Sequence, residues 1–410
     1  MQDGVTYSAY GEGAKPALYG SPENGSGAEK WSLVPGSENI WVYYKELPEC
    51  GTVVFNDAEA AIKVTPYKAN GQYVMPDGSG EPFDYHTALS ENLSFYSEDM
   101  HFLFSDTAFE TKADCKLYLR CDEGNPGQLY GSIEFCAWTD SKPDSPDKGL
   151  IVPDAEGACN EIVMDNIEIK YCGIYGVNAR GATLTVQNCM VGWIGGCVAS
   201  YADGEPIRLG NCVGCYHNID GYTVKNCYLY QAYDAGVSNE GDVNDYRVYD
   251  RHENVTYESN LIEYCTYGVE MFIACEKAGA GVYMKNIRIT DNMILHSGYG
   301  WGHQRPNQDW DAAIQMHTYP YEFIDVSITG NTLYQSRTAL IICWAGNENR
   351  PVFSGNTYVQ DNLGYLTFYR GVGVDREQYP TYIYDYSAAD TVRDILGDTS
   401  AVVAPLSYPK

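Results

Sequence analysis

The chain has 410 residues, with 26 Lys and Arg against 55 Asp and Glu and a formal net charge of −29. Such a charge repels nucleic acid and anionic membranes over long range, and it disfavours polyanionic substrates unless a cation bridges them; it also serves plain solubility. No apolar run is long enough to span a bilayer as a helix.

From the start, Met1 leads by way of Gln2 and Asp3 into GVTYSAYGEGAKPALYG, which reads as strand and turn and not as a signal peptide. The chain is therefore expected to begin inside a fold, with trimmed first coils or a second chain or N-terminal domain capping that end. Residues 1–158 carry alternating stretches at NIWVYY (39–44), GTVVF (51–55), HFLF (101–104), KLYLR (116–120) and GSIEFC (131–136), separated by Gly, Pro and Asp turns. They are predicted as first coils with irregular β insertions, and DSKPDSPDK (140–148) as a polar loop.

Residues 159–370 repeat one phrase, alternating apolar residues around an asparagine, at Asn166, Asn188, Asn226, Asn260, Asn292, Asn331 and Asn356. A fixed phrase at elastic spacing predicts a stacked β-solenoid, because each coil buries its face only against its neighbours. After residue 371 the periodicity fades; in this cap (371–410) SAADTVRDILG (387–397) predicts a short amphipathic helix over the last coil.

Fourteen Cys invite a disulfide reading. However, Cys189 and Cys227 directly follow a repeat asparagine, and Cys172 and Cys265 fall near the end of the same phrase, so most are expected to be buried free thiols. Cys212 and Cys215 form one CxxC without a second half, and His303 with His317 lacks metal spacing, so no zinc site is expected.

A second strand per coil is read at 175–180, 196–200, 236–240, 268–272, 313–317, 340–344 and 364–368. Side chains alternate across a strand. If Val237, Val269 and Ile314 point inward, then Ser238, Glu240, Glu270, Phe272, Gln315 and His317 share the outer face. The flanking coils would add Val198 and Ser200 on one side and Ile341 and Cys343 on the other. The long segments 242–253, 275–283 and 300–311 are expected to wall a groove over this face.

The repeat and the opening YSAYGEGAKPALYG resemble the right-handed parallel β-helix of pectate-lyase-like carbohydrate-active proteins, over essentially the whole chain. That resemblance implies an all-β, single-stranded right-handed parallel β-helix and says little about substrate. The segments YDAGVSNEGD (233–242), EYCTYGVEMF (263–272) and GYGWGHQRP (298–306) are similar to clostridial-type gut β-helix proteins, including the lacto-N-biosidase group of glycoside hydrolases. In that group two carboxylates carry retaining hydrolysis and a helical partner can accompany the β-helix. No complete catalytic signature of the group matches here position by position. Bacterial extracellular or cell-surface placement is the corresponding expectation.

Glycoside hydrolysis needs two carboxyl groups flanking the scissile bond. The candidates are Asp234, Glu240, Asp242 and Glu270. Glu240 and Glu270 lie on adjacent coils, offset by two residues, which puts their backbones ~8 Å apart. Asp234 and Asp242 would be roughly 26 Å apart if fully extended, so both can serve only if the chain turns between them. Expected sugar-binding groups are Trp301, His303, Gln304, Arg305, Trp310, Asp311, Gln315, His317 and Trp344, with Tyr233, Tyr267 and Tyr299 beside them, since sugar rings pack on flat rings and hydroxyls need forked polar partners. Each of these acids also reads as a solvated rim residue, and many tyrosines as packing.

The leading expectation is a hydrolase for a neutral or amino-sugar oligosaccharide that needs no cofactor. A polysaccharide lyase is the rival, and calcium belongs to that reading; outward cations on the central coils are few, Arg180 and Arg305 being the best placed. A non-catalytic glycan-binding solenoid is the third. Ser238 stands in no GxSxG elbow, which disfavours an esterase.

Overall fold

The computed structural model describes residues 3–98, 103–105, 108–110, 116–138, 161–181, 183–244, 248–275, 281–305, 311–317, 321–343, 350–360, 365–369 and 387–406. The described residues are almost all β, dominated by three large sheets. Between residues 161 and 369 the chain visits these sheets in strict rotation, and each visit adds a parallel strand beside the one before. One rotation, for example, runs Ile219–Lys225, Tyr228–Ala232 and Ala235–Asp242, and the next runs Asp250–Glu258, Leu261–Glu263 and Tyr267–Ala274.

Parallel strands that bury one face stack like residues on like, and the register here does so: Val213, Val237, Val269, Ile314 and Ile341 pair in turn. Their side chains join Ile, Val, Leu, Met and Cys from the other two sheets in one continuous core. All twelve described free cysteines are buried, several of them in that core. Small apolar thiols fill such positions well.

The repeated asparagines divide into two kinds. Asn166, Asn188 and Asn226 occupy the left-handed turn after the first strand of each rotation, at φ 58°, 54° and 52°. In the later rotations that turn position belongs to Ser259, Asp291, Gly330 and Gly355. Asn260, Asn292, Asn331 and Asn356 stand one residue further on, buried, where the earlier rotations carry Ile167, Cys189 and Cys227. The seven asparagines of the repeated phrase are therefore not one structural position: the last four stand one residue later than the first three. Asn tolerates left-handed backbone and also makes forked amide bonds, so one residue type satisfies both needs.

The four buried asparagines form a ladder. Asn260 Nδ2 donates to Asn292 Oδ1 at 2.9 Å, Asn292 to Asn331 at 2.9 Å, Asn331 to Asn356 at 3.0 Å and Asn356 to Asp398 Oδ2 at 2.9 Å. Each amide also donates to a backbone carbonyl: those of Val224, Tyr257, Ile289 and Ile328.

The opening segment contributes Thr6–Ser8 to the first sheet and Ala17–Tyr19 to the second. Further N-terminal strands form a separate five-stranded sheet and extend the second sheet through Cys50–Phe55 and Ile133–Ala137. At the other end the helix Ser387–Leu396 buries Val392 and Leu396 against the core. No helix among the described residues is long and apolar enough to cross a membrane.

Candidate active site

The third sheet carries the acids. Ser238 pairs with Glu270 and Glu270 with Gln315, while Glu240 pairs with Phe272, so Ser238, Glu240, Glu270, Phe272 and Gln315 share one face. The opposite face packs inward: Asn239 is fully buried and bonds to His252 and Tyr257.

Two segments were misplaced by sequence reading. Residues 196–200 do not join this sheet; Val198–Ala202 folds into an antiparallel hairpin with Glu205–Arg208, and the strand of that rotation is Val213–Tyr216. The flanking outward groups are consequently Gly214 and Tyr216 in place of Val198 and Ser200. On the far side Ile342, not Ile341 or Cys343, lies level with Gln315. Ile341 and Cys343 belong to the core.

Tyr216 and Asn211 were missed with that strand, and both bind Glu240. Asn211 Nδ2 donates to Glu240 Oε1 at 2.6 Å and to Ser238 Oγ at 2.9 Å, and Tyr216 Oη donates to Glu240 Oε1 at 3.2 Å. Asn211 is itself held, because its Oδ1 accepts the Ala235 N–H at 2.9 Å. Packing around Glu240, reinforced by the nearby charges of Glu270 and Asp234, pushes its carboxyl up to about 8, against the opposing hydrogen bonds of Ser238 and Tyr216. That shift favours the protonated form of Glu240 at neutral pH.

Glu270 is 5% exposed and meets His317 Nε2 at 2.7 Å. Burial and the Asp234 charge raise its proton affinity well above the ordinary carboxyl range, while Arg305 opposes. Burial also lowers that of His317. Both shifts favour the uncharged forms of the two groups. Asp234 is the counterpart: its Oδ1 accepts from Arg305 at 2.6 Å in an ion pair, and its Oδ2 carries no hydrogen bond among the described residues. Gln315 is 2% exposed, and its Oε1 likewise finds no partner among them.

The remaining expected site residues separate by role. Trp301 is 5% exposed, its indole N–H donates to Gln231 O at 2.8 Å, and it packs on Tyr233 with Trp193 and Tyr171; it is wall structure and presents no open ring face to a sugar. Gln304 clips the edge segment 61–63, accepting the Lys63 N–H and donating to Ala61 O. His303 is exposed and bonds Gly300 O. Asp311 is fully buried beside Thr338. Asp242 sits at the strand end beside His217 at 3.5 Å, with a side chain 39% exposed. Tyr233 and Tyr267 are buried and Tyr299 is exposed. Trp310 and Trp344 lie outside the described residues, as does part of each of the three long segments.

The N-terminal region supplies a wall that sequence reading did not foresee. Arg208 donates to Gly51 O and Gly196 O and lies 4.4 Å over the Tyr233 ring, while buried Lys63 pairs with Glu49 and donates to Gly196 O. Gly196 is required there: at φ 90° an added Cβ would meet Gly51 O at 2.6 Å and Trp301 at 2.7 Å. Tyr201 of the hairpin donates to Pro66 O, and its cluster includes Tyr175 and Tyr216.

Three or more His, Cys, Asp and Glu in metal-binding proximity do not occur among the described residues.

No family model matches the chain, and neither does any curated protein. Among solved structures it is similar to XylC in complex with xylose, at 11% identity and TM-score 0.44, over 90% of this chain and 62% of that one. A second similar structure is a glycoside hydrolase, at 11% identity and TM-score 0.38, over 92% and 86%. A third is the catalytic unit of a thermostable GH87 alpha-1,3-glucanase from Streptomyces thermodiastaticus strain HF3-3, at 9% identity and TM-score 0.22, over 85% and 88%. The chain thus spans less than two thirds of the XylC structure, and likeness at these identities does not reach individual residues.

Proposed function

We propose that the chain is a single-stranded right-handed parallel β-helix and a glycoside hydrolase acting on a neutral or amino-sugar oligosaccharide. The rotation of strands through three parallel sheets supports the first part. One observation carries the second: Glu240, whose carboxyl burial pushes up to about 8, lies within electrostatic reach of Asp234, and Asp234 is held in an ion pair by Arg305.

Glu240 is the general acid. Asn211 and Tyr216 fix one of its oxygens, and its proton goes to the glycosidic oxygen as the bond to the leaving group breaks. Asp234 is the ionised partner. Arg305 holds its Oδ1, which leaves Oδ2 to attack the anomeric carbon or to take a proton from water as water attacks. Glu270 and His317, neutral together, offer hydrogen bonds to sugar hydroxyls without adding charge, and Gln315 Oε1 accepts another. A proton donor placed beside a carboxylate is the pairing that oxocarbenium-like transition states require.

A lyase would need a basic proton abstractor and cations for a uronate. Of the two cations best placed for that, Arg305 is committed to Asp234, and Arg180 stands two strands from Glu240 on the same face, in register with Tyr216. The test is a screen of aryl glycosides and neutral and amino-sugar oligosaccharides, with and without calcium, on the wild type and on Glu240→Gln, Asp234→Asn and Glu270→Gln. New reducing ends, lost in Glu240→Gln and Asp234→Asn, are expected. Absorbance from an unsaturated uronate product, or turnover that survives all three substitutions, would overturn the reading.

A further inference from the structure

The five-stranded N-terminal sheet has two unlike faces. One packs Trp31, Tyr43, Phe95, Leu117 and Leu119 into a closed cluster. A half-exposed antiparallel sheet ordinarily turns polar residues to its other side. Here that side carries Val34, Val42, Tyr96 and Tyr118, covered in part by Tyr85 of the short helix Tyr85–Ala88. Beside that helix a cleft of about 610 Å³ stays open. Its volume falls in the range of small-molecule sites.

The lining is amphipathic. Tyr85 stacks on Tyr118 at 4.2 Å and 21°, and Tyr96 lies within 12° of the Tyr118 plane, so the rings form a parallel strip. Tyr44 is 57% exposed, yet its hydroxyl is anchored on Glu23 at 3.2 Å, which holds an open ring in a set orientation. Ser32, Glu46 and Lys116 stand on the rim. None of these three side chains bonds to another group among the described residues, so both donors and acceptors face the opening.

Tyr96 and Tyr118 are buried beneath Tyr85, so Tyr44 supplies the open ring; a flat ring held rigid for C–H faces, beside groups that bond hydroxyls, is the complement of a pyranose. We propose that this cleft is a second, non-catalytic binding site for a neutral glycan chain. Lys45, also in the lining, is paired with Glu23 at 3.0 Å, and Lys116 and Glu46 offset one another, so the rim does not select an acidic sugar. The inference stands apart from the hydrolase reading, because such a cleft holds a polymer whether or not the third sheet cleaves it.

The full chain carrying Glu240→Gln, with and without Tyr44→Ala, is run in native gels containing soluble xylan, mixed-linkage β-glucan, galactan or polygalacturonate. Retardation by at least one neutral polysaccharide is expected, about tenfold weaker with Tyr44→Ala, at unchanged thermal midpoint. In the Glu240 wild-type background, Tyr44→Ala is expected to leave turnover of a small aryl glycoside unchanged. Three outcomes overturn the proposal: no neutral gel retards the chain, retardation is indifferent to Tyr44→Ala, or polygalacturonate alone retards it. None of them bears on whether the third sheet hydrolyses a glycoside.

Discussion

The asparagine ladder and the carboxyl cleft use the same material, polar side chains stacked on neighbouring parallel strands, but only the ladder is satisfied. Every amide from Asn260 to Asn356 spends its donors on the next residue and on a carbonyl, ending at Asp398. Around Glu240 and Glu270 burial raises proton affinity above its value in water, and Gln315 Oε1 and Asp234 Oδ2 carry no hydrogen bond among the described residues. Satisfied buried polarity specifies a structure; polarity left wanting is poised to meet a ligand.

The difference can be broken from either side. Glu240→Gln keeps shape and packing and is expected to lower kcat/KM by about 10²–10⁴-fold with little change in stability at neutral pH; an aryl glycoside with a good leaving group should recover much of kcat. Asn292→Leu should do the reverse. It strands the Asn260 backbone N–H and Nδ2, which both donate to Asn292 Oδ1, and removes the side-chain donor to Asn331 Oδ1 and Tyr257 O while the backbone N–H to Asn331 Oδ1 stays, a loss of about 1–3 kcal/mol read from a denaturant midpoint, while activity per folded molecule is unchanged. If Asn292→Leu were silent in stability, the ladder would not be the structural element described.

Smaller effects sharpen the boundary of the site. Trp301→Phe loses the bond to Gln231 O and is expected to cost about 0.5–1.5 kcal/mol of stability with KM unchanged, whereas a sugar platform would raise KM. Asp242→Asn should leave kcat/KM within about twofold, since its carboxylate meets His217 at the exposed end of the strand.

Much of this was readable from residues. The alternation in GVSNE, GVEMF and AIQMH sets Glu240, Glu270 and Gln315 on one face, because side-chain direction along a strand has period two. The asparagine phrase was visible too, but one letter served two physical roles, turn and ladder, and concealed a one-residue offset. Tyr216 and Asn211 escaped because the Val198–Arg208 hairpin interrupts the rotation, and GCVAS has the same small-then-apolar look as a true strand. Trp301 has the composition of a sugar platform; its burial depends on Val54, Tyr171 and Trp193, distant in sequence. Nor could spacing reveal that Arg208 and Lys63 tie the first sixty residues to the cleft wall.

The pH response has a defined sign. Glu240 binds its proton more tightly folded than unfolded, so the stability it contributes is present below the ordinary carboxyl range and is lost as pH rises toward about 8. Activity that needs its proton falls over the upper part of that same interval. The direct measurement is carbon NMR titration of the chain labelled at glutamate side-chain carboxyls, wild type against Glu240→Gln. One resonance titrating near pH 8 and missing from the variant is the expected result; the loss from the variant of a resonance that titrates in the ordinary glutamate range would contradict the account.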